Sequence, residues 1–399
     1  MQVIAQSIQK QMEGASWIRR MFEKGLELKK EFGADKVYDF SLGNPDIPPP
    51  QKAREALQRI TENAVKPMGL GYCPNAGLPA FRDALAEMLT RQQSVAVKAA
   101  QVVVTCGAAG ALTSFFRAVL EPGDEVVCPA PYFVEYGAYC GHFGGVLKAV
   151  PSLAPSFQPD LAALEAAITE KTRVLIINSP NNPTGVVYSQ ETLDQLGALV
   201  NRVNATRQRP LFLVSDEPYR FLAYDGVRVP PVLPLSPFAV VIGSFSKSLS
   251  LAGERIGYIA ISPEMPDGAL LMNAVTMTNR TLGFVNAPIL GQQLAMTLLN
   301  EGVDLAIYDR RRKAMAKVLT DAGIAFTMPQ GAFYFFPQAP LGDDHGFVQE
   351  LVKYNVLAVP GSGFGFPGYF RLSFSVEDSV IPRSAEGFKA AAAAFANKR

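Results

Sequence analysis

The chain has 399 residues, 48% of them hydrophobic and 18% charged, enough apolar material for a large core spread over more than one domain. Its 37 Lys plus Arg against 36 Asp plus Glu leave a net charge of +1, which excludes a whole-chain pull toward nucleic acid or an anionic membrane and makes small molecules the default partners. Cys73, Cys106, Cys128 and Cys140 form no CxxC pair and only His142 and His345 could join them, so no metal is expected.

Ile18, Met21, Phe22 and Leu26 recur at helical spacing and predict an amphipathic helix near the start of the chain. No apolar signal segment opens the chain, and no later stretch approaches the roughly 18 apolar residues of a membrane span. The expectation is a cytoplasmic protein with reduced cysteines. "FSLGNPDIPPP" breaks the helix. From about residue 50 to 270, apolar runs alternate with helical patterns: "QVVVTCG" with "AAGALTSFFRAVL", "DEVVCPAP", "TRVLIINSP" with "SQETLDQLGALVNRV", "PLFLVSDEP" and "FAVVIGSFS". That alternation predicts an α/β fold with a mostly parallel sheet flanked by helices, its Val- and Ile-rich strands buried on both faces. After "NAP" at 286–288 the pattern predicts one long helix to about Ala322, then "FTMPQGAFYFFP", a helix near "HGFVQELVKY", "VLAVPGSGFG", "YFRLSFS" and an Ala-rich helix, together a smaller α+β domain. His345 in "GDDHG" reads as a surface loop.

Open parallel sheets bind ligands at the carboxyl ends of their strands. There, "VVVT" runs into "CGAAGAL", where the amides of Gly107, Ala108 and Ala109 could face an anion, although tight helix packing explains such small residues equally well. "VLIIN" ends in "SPNNPTG", a rigid turn offering Asn182. "FLV" ends in "SDEPYR", offering Asp216 and Tyr219, and "VVIG" ends in "SFSKSLS", offering Ser244, Ser246 and Lys247, with Arg255 eight residues on. Each is weak alone, a turn or a helix cap. Together they supply an anion cradle, an amide, an acid with a phenol, and a lysine.

A desolvated lysine near positive charge has a lowered pKa and condenses with aldehydes. Pyridoxal phosphate is the aldehyde that would use every other group. Its phosphate suits the amides with Ser244, Ser246 and Arg255, its ring nitrogen suits Asp216, and its phenolic oxygen suits Asn182 and Tyr219.

With these residues assembled, the chain resembles the class I and II aminotransferases of fold type I along almost its whole length. The resemblance rests on an ordered set: "Y-x-P-N-x-G" from Tyr72 to Gly77, "GAA" at 107–109, "PYF" at 131–133, "NNPTG" at 181–185, "D-x-x-Y" at 216–219, "SxSK" at 244–247, "RxG" at 255–257 and "FRLS" at 370–373. It implies a seven-stranded sheet in a large cofactor domain over 47–285, with a small domain over 286–399 joined by the N-terminal segment 1–46. It implies a Schiff base at Lys247, which also carries the substrate's α-proton, and a ring-nitrogen partner in Asp216. Phe133 resembles the aromatic stacked on the ring, with Tyr132 the alternative one residue away. Arg371 matches the arginine that grips the α-carboxylate, a group its planar fork suits, with Asn182 and the backbone at Gly43 beside it. Tyr72 resembles the tyrosine that reaches the other subunit's cofactor, implying a homodimer. The substrates implied are an L-amino acid, aspartate or another, and a 2-oxo acid such as 2-oxoglutarate.

Two departures bear on the substrate. One subgroup binds a side-chain carboxylate through a partner-subunit arginine; Arg280 lies close, but counting back from "NAP" places Thr281 there. Another uses a lysine in the phosphate turn, which "CGAAGAL" lacks. A C–S β-lyase on the same scaffold is the closest alternative, because the same residues create the same carbanion. A pyridoxal-phosphate sensor is disfavoured by Arg371, for which it has no use, and a serine hydrolase by the absence of G-x-S-x-G.

Overall fold

In chain order the strands are β1 (Tyr38–Asp39), β2 (Val102–Cys106), β3 (Glu125–Ala130), β4 (Val146–Pro151), β5 (Thr172–Asn178), β6 (Phe212–Asp216), β7 (Ala239–Ser244), β8 (Ile256–Ile261), β9 (Tyr334–Phe335), β10 (Val356–Leu357), β11 (Val359–Pro360) and β12 (Phe370–Ser373). They belong to a computed structural model that describes residues 3–13 and 17–396. Strands β2 to β8 form one seven-stranded sheet in the order β2-β8-β7-β6-β5-β3-β4. Only β8 runs antiparallel to its neighbours. Both faces are covered, as the uninterrupted apolar runs require. Val103, Val174, Ile176, Val214 and Ile242 point to one side, against the helices Gly107–Val119 and Gly268–Thr281. Val104, Leu175, Ile177, Leu213 and Val241 point to the other, against Pro79–Gln93 and Gln190–Asn204.

A further apolar cluster joins Met21, Phe40 and Ile47 to residues from Val303 to Phe395. It packs around the antiparallel sheet β11-β12-β9 and the parallel pair β1-β10. Because β12 carries Arg371 and β9 carries Tyr334, this cluster fixes the residues that face the large sheet's carboxyl edge.

Several elements differ from expectation. The run-by-run reading passes over β4 and β8: β4 is an edge strand whose Val146 is 50% exposed and whose middle holds Lys148, while β8 follows the serine-rich turn so closely that the two merge. The predicted 286–322 helix is two helices, Ile289–Thr297 and Leu305–Asp321, and the Asp304 side chain starts the second by accepting from the Ala306 amide at 2.9 Å. The N-terminal segment holds two helices, Gln6–Glu13 and Trp17–Phe32. In the second, Met21, Gly25 and Leu28 face inward while Phe22 and Leu26 are exposed, so the buried stripe lies one position from the one expected; the Ile18 side chain lies outside the described residues. His345 is no free loop residue: its ring meets Trp17 edge-on and its Nε2 lies 2.7 Å from Ser362 Oγ.

Candidate active site

The carboxyl ends of β2, β5, β6 and β7 open on one cavity of about 300 Å³. Twelve of the residues singled out by sequence line it: Gly43, Ala108, Ala109, Phe133, Asn182, Asp216, Tyr219, Ser244, Ser246, Lys247, Arg255 and Arg371. Gly107 stands just behind the lining, and Tyr72 lies outside it, 86% exposed. Phe133 rather than Tyr132 faces the cavity; Tyr132 packs against Gly365. Tyr139, Asn178 and Tyr334 also line it, none of them among the site residues read from the sequence.

One end is built for an anion. The helix Gly107–Val119 starts straight from β2 with no side-chain cap, so its first amides have no partner within the helix. Gly107 sits at φ +70°, and a Cβ there would lie 2.5 Å from Arg255 Nη2, so glycine is needed for the guanidinium to come this close. Arg255 Nη1 donates to Ser246 Oγ at 3.4 Å, and Ser244 Oγ accepts from the Ser246 amide at 3.1 Å. Three donor types thus converge on one spot: amides, hydroxyls and a cation.

Asp216 ends β6, fully enclosed. Tyr136 Oη donates to its Oδ2 at 2.6 Å, while Oδ1 is buried with no partner. Burial pushes the carboxyl up to about 7, against the pull of the Tyr136 hydrogen bond and with a further push from Glu217. A buried carboxylate oxygen without a donor is costly unless a ligand supplies one. Lys247 Nζ donates to the Gly43 carbonyl at 2.6 Å. Burial, Arg371 and Arg255 together lower its pKa to about 8.

Arg371 is buried between the rings of Tyr334 and Phe364, each 4.8 Å from its Cζ. Its Nη1 donates to Asn182 Oδ1 at 3.1 Å and its Nη2 to the Ser41 carbonyl at 2.6 Å, while Nε has no partner. Asn178 sets Asn182 in place, donating to the Asp216 carbonyl and accepting from the Asn182 amide, both at 2.7 Å. Tyr219 and Tyr334 share a hydroxyl contact of 2.8 Å. A Cβ on Gly43 would collide with the Tyr334 hydroxyl, so only glycine lets this segment approach.

The donor-rich end, the unpartnered Asp216 Oδ1 and the lysine of lowered pKa match the phosphate, ring nitrogen and aldehyde of pyridoxal phosphate. The family model for aminotransferase class I and II matches residues 35–388. A probable aspartate/prephenate aminotransferase of Aquifex aeolicus is 34% identical, over 90% of this chain and 91% of its own length. The aspartate/prephenate aminotransferase of Thermus thermophilus is 33% identical, over 92% and 93%. Among solved structures, an aminotransferase from Eubacterium rectale superposes with a TM-score of 0.94 at 37% identity, covering 99% of this chain and all of that one. The Thermus thermophilus aspartate aminotransferase with maleate gives a TM-score of 0.84 at 28% identity, covering 98% of this chain. The chain belongs to the class I and II aminotransferases, pyridoxal-phosphate enzymes of fold type I. Its activity is the transfer of an amino group between an L-amino acid and a 2-oxo acid, and neither relative carries the name of a lyase.

Proposed function

We propose that Lys247, Asp216 and Arg371 carry this transamination. The observation behind the reading is that Asp216 Oδ1 and Arg371 Nε, atoms of two buried ionisable groups, lack partners in the same cavity that holds a lysine lowered to about 8. Bound there, pyridoxal phosphate supplies the electron sink for charge developing at the substrate's α-carbon. Gly107, Ala108, Ala109, Ser244, Ser246 and Arg255 hold its phosphate, Phe133 covers its ring, Asn182 and Tyr219 meet its phenolic oxygen, and Asp216 keeps the ring nitrogen protonated. Arg371 grips the α-carboxylate with Asn182, the Gly43 segment closes over it, and Lys247 Nζ moves the α-proton. Replacing Lys247 by Ala leaves cofactor and substrate binding and abolishes turnover; full activity in that variant would overturn the assignment.

For the substrate we infer a dicarboxylic pair, aspartate with 2-oxoglutarate. Lys247, Arg255 and Arg371 are the cations lining the cavity, and each already has a task. A side-chain carboxylate therefore needs a cation from elsewhere, and the exposed Arg280 of the other subunit of a homodimer is the candidate, with the exposed Tyr72 reaching the same shared site. The segment 1–46 and the part from 286 onward are assigned to the unit that closes on substrate. We place the enzyme in the cytoplasm: its four cysteines are free, and among the described residues no helix is long and apolar enough to cross a membrane. Aspartate should outperform neutral amino acids in the wild type and lose that advantage in Arg280→Ala. An unchanged preference would remove Arg280 from the site.

A further inference from the structure

Six buried side-chain polar atoms among the described residues lack a partner, and three of them belong to ionisable groups. Two, Asp216 Oδ1 and Arg371 Nε, sit in the active site. The third is Nε of Arg173, at the opposite edge of the sheet. Arg173 is the second residue of β5, whose every position is buried, and is itself 7% exposed. Its Nη1 donates to the Pro210 carbonyl, and its guanidinium lies 5.5 Å from the Phe212 ring centre. The nearby acid is spoken for: Arg209 holds Asp124 with two hydrogen bonds, at 3.0 and 2.7 Å, and lies 3.6 Å from Glu121. Arg207 lines the same cavity and donates to the carbonyls of Thr172 and Thr169. Among the described residues no carboxylate lies within ion-pair distance of Arg173; Asp124 and Glu121 favour its charge from farther off, against its burial and the nearby Arg209 and Arg207, and a buried cation so weakly compensated is unfavourable.

Arg173 lines a cavity of about 680 Å³, distinct from the active site, at the amino ends of β3, β5, β6 and β7. Its charged lining is Arg117, Arg207 and Arg209 with Glu121 and the exposed Asp267, and one wall is apolar, formed by Phe212, Phe238, Leu271 and Ala274. We propose that this cavity is a second ligand site, taking a small carboxylate with an apolar body. The carboxylate pairs with Arg173, whose Nη1 is committed to Pro210 and whose remaining fork suits a planar anion. The body lies against the apolar wall. A phosphate would leave that wall uncovered, and a neutral molecule would leave the cation unpaired.

Benzoate is the probe, titrated calorimetrically into the cofactor-loaded enzyme, with benzamide as its neutral counterpart and inorganic phosphate as the anion without a body. The wild type should take up one benzoate per chain more than Arg173→Met, whose active site is untouched. Benzamide should show no such difference, and phosphate should bind the cavity at least tenfold more weakly. Should Arg173→Met fail to fold, Arg117→Gln on the exposed rim replaces it, and benzoate should bind the cavity several-fold more weakly. Equal benzoate uptake by wild type and variant, equal binding of benzamide, or a preference for phosphate would each overturn the proposal.

Discussion

Asp216 should destabilise the cofactor-free protein at alkaline pH, and its replacement by Asn should reveal this. The carboxyl has an ordinary value of 3.8 and is raised by burial to about 7 in the folded chain. A carboxyl raised on folding favours the folded state while protonated in it, so stability is highest below 3.8 and is lost as pH climbs to 7. The full shift of about 3 units corresponds to roughly 4 kcal/mol, at about 1.4 kcal/mol per unit. About 2 units of it lie between pH 5 and 7, so roughly 3 kcal/mol should vanish over that interval in the wild type and none in Asp216→Asn. The variant keeps an oxygen for Tyr136 but buries an unpartnered NH₂, a pH-independent cost of about 1–3 kcal/mol. The test is therefore the change in the stability difference with pH. Urea unfolding of both cofactor-free proteins at pH 5 and 8.5 measures it. A difference that stays flat between these values, or that moves in favour of the wild type as pH rises, would refute the reasoning. Added pyridoxal phosphate should stabilise the wild type more than the variant, because the ring nitrogen supplies the donor that Oδ1 lacks.

Tyr136→Phe removes the 2.6 Å hydrogen bond to Asp216, worth about 1.5–3 kcal/mol to a charged acceptor, and should weaken cofactor binding by roughly 10- to 100-fold, more at pH 6.5 than at 8.5; direct titration of cofactor reads both. Arg371→Ala should lower kcat/KM by roughly 30- to 5000-fold, corresponding to about 2–5 kcal/mol for one member of a buried charge pair, while leaving cofactor affinity within about twofold. Because burial, Arg371 and Arg255 lower the Lys247 amine to about 8 in the cofactor-free chain, the rate at which that chain condenses with pyridoxal phosphate should rise with pH and level off above that value in stopped-flow absorbance. A profile flat from pH 6 to 9 would contradict its role as the amine that meets the aldehyde.

What the sequence made legible was the carboxyl edge of the sheet. A strand buried on both faces has no reason to end in a charged or amide side chain, so Asn182, Asp216 and Lys247 stood out and do line one cavity. Tyr136 did not stand out, because a tyrosine inside "PYFVEYGAYC" reads as packing; only its Oη, aimed at Asp216 across 80 positions of sequence, gives it a task. Asn178 was legible in principle, being the last residue of β5, but the eye moves to the proline turn that follows. Tyr334 belongs to a run of four aromatics, Phe333 to Phe336, all buried, and no sequence pattern says which of them turns toward Arg371. Arg173 lay hidden for the opposite reason: at the start of "TRVLIIN" it reads as a solvated charge flanking a strand, and only burial exposes its missing partner.

The central claim is that the chain stores the amino group on its cofactor between two half-reactions. The most direct measurement mixes the pyridoxal-phosphate-loaded enzyme with aspartate and no acceptor, following cofactor absorbance while counting oxo acid and ammonia. One equivalent of oxo acid per site, no ammonia, and an absorbance restored only by adding 2-oxoglutarate is the predicted result. Continuous release of ammonia with the absorbance unchanged would contradict it.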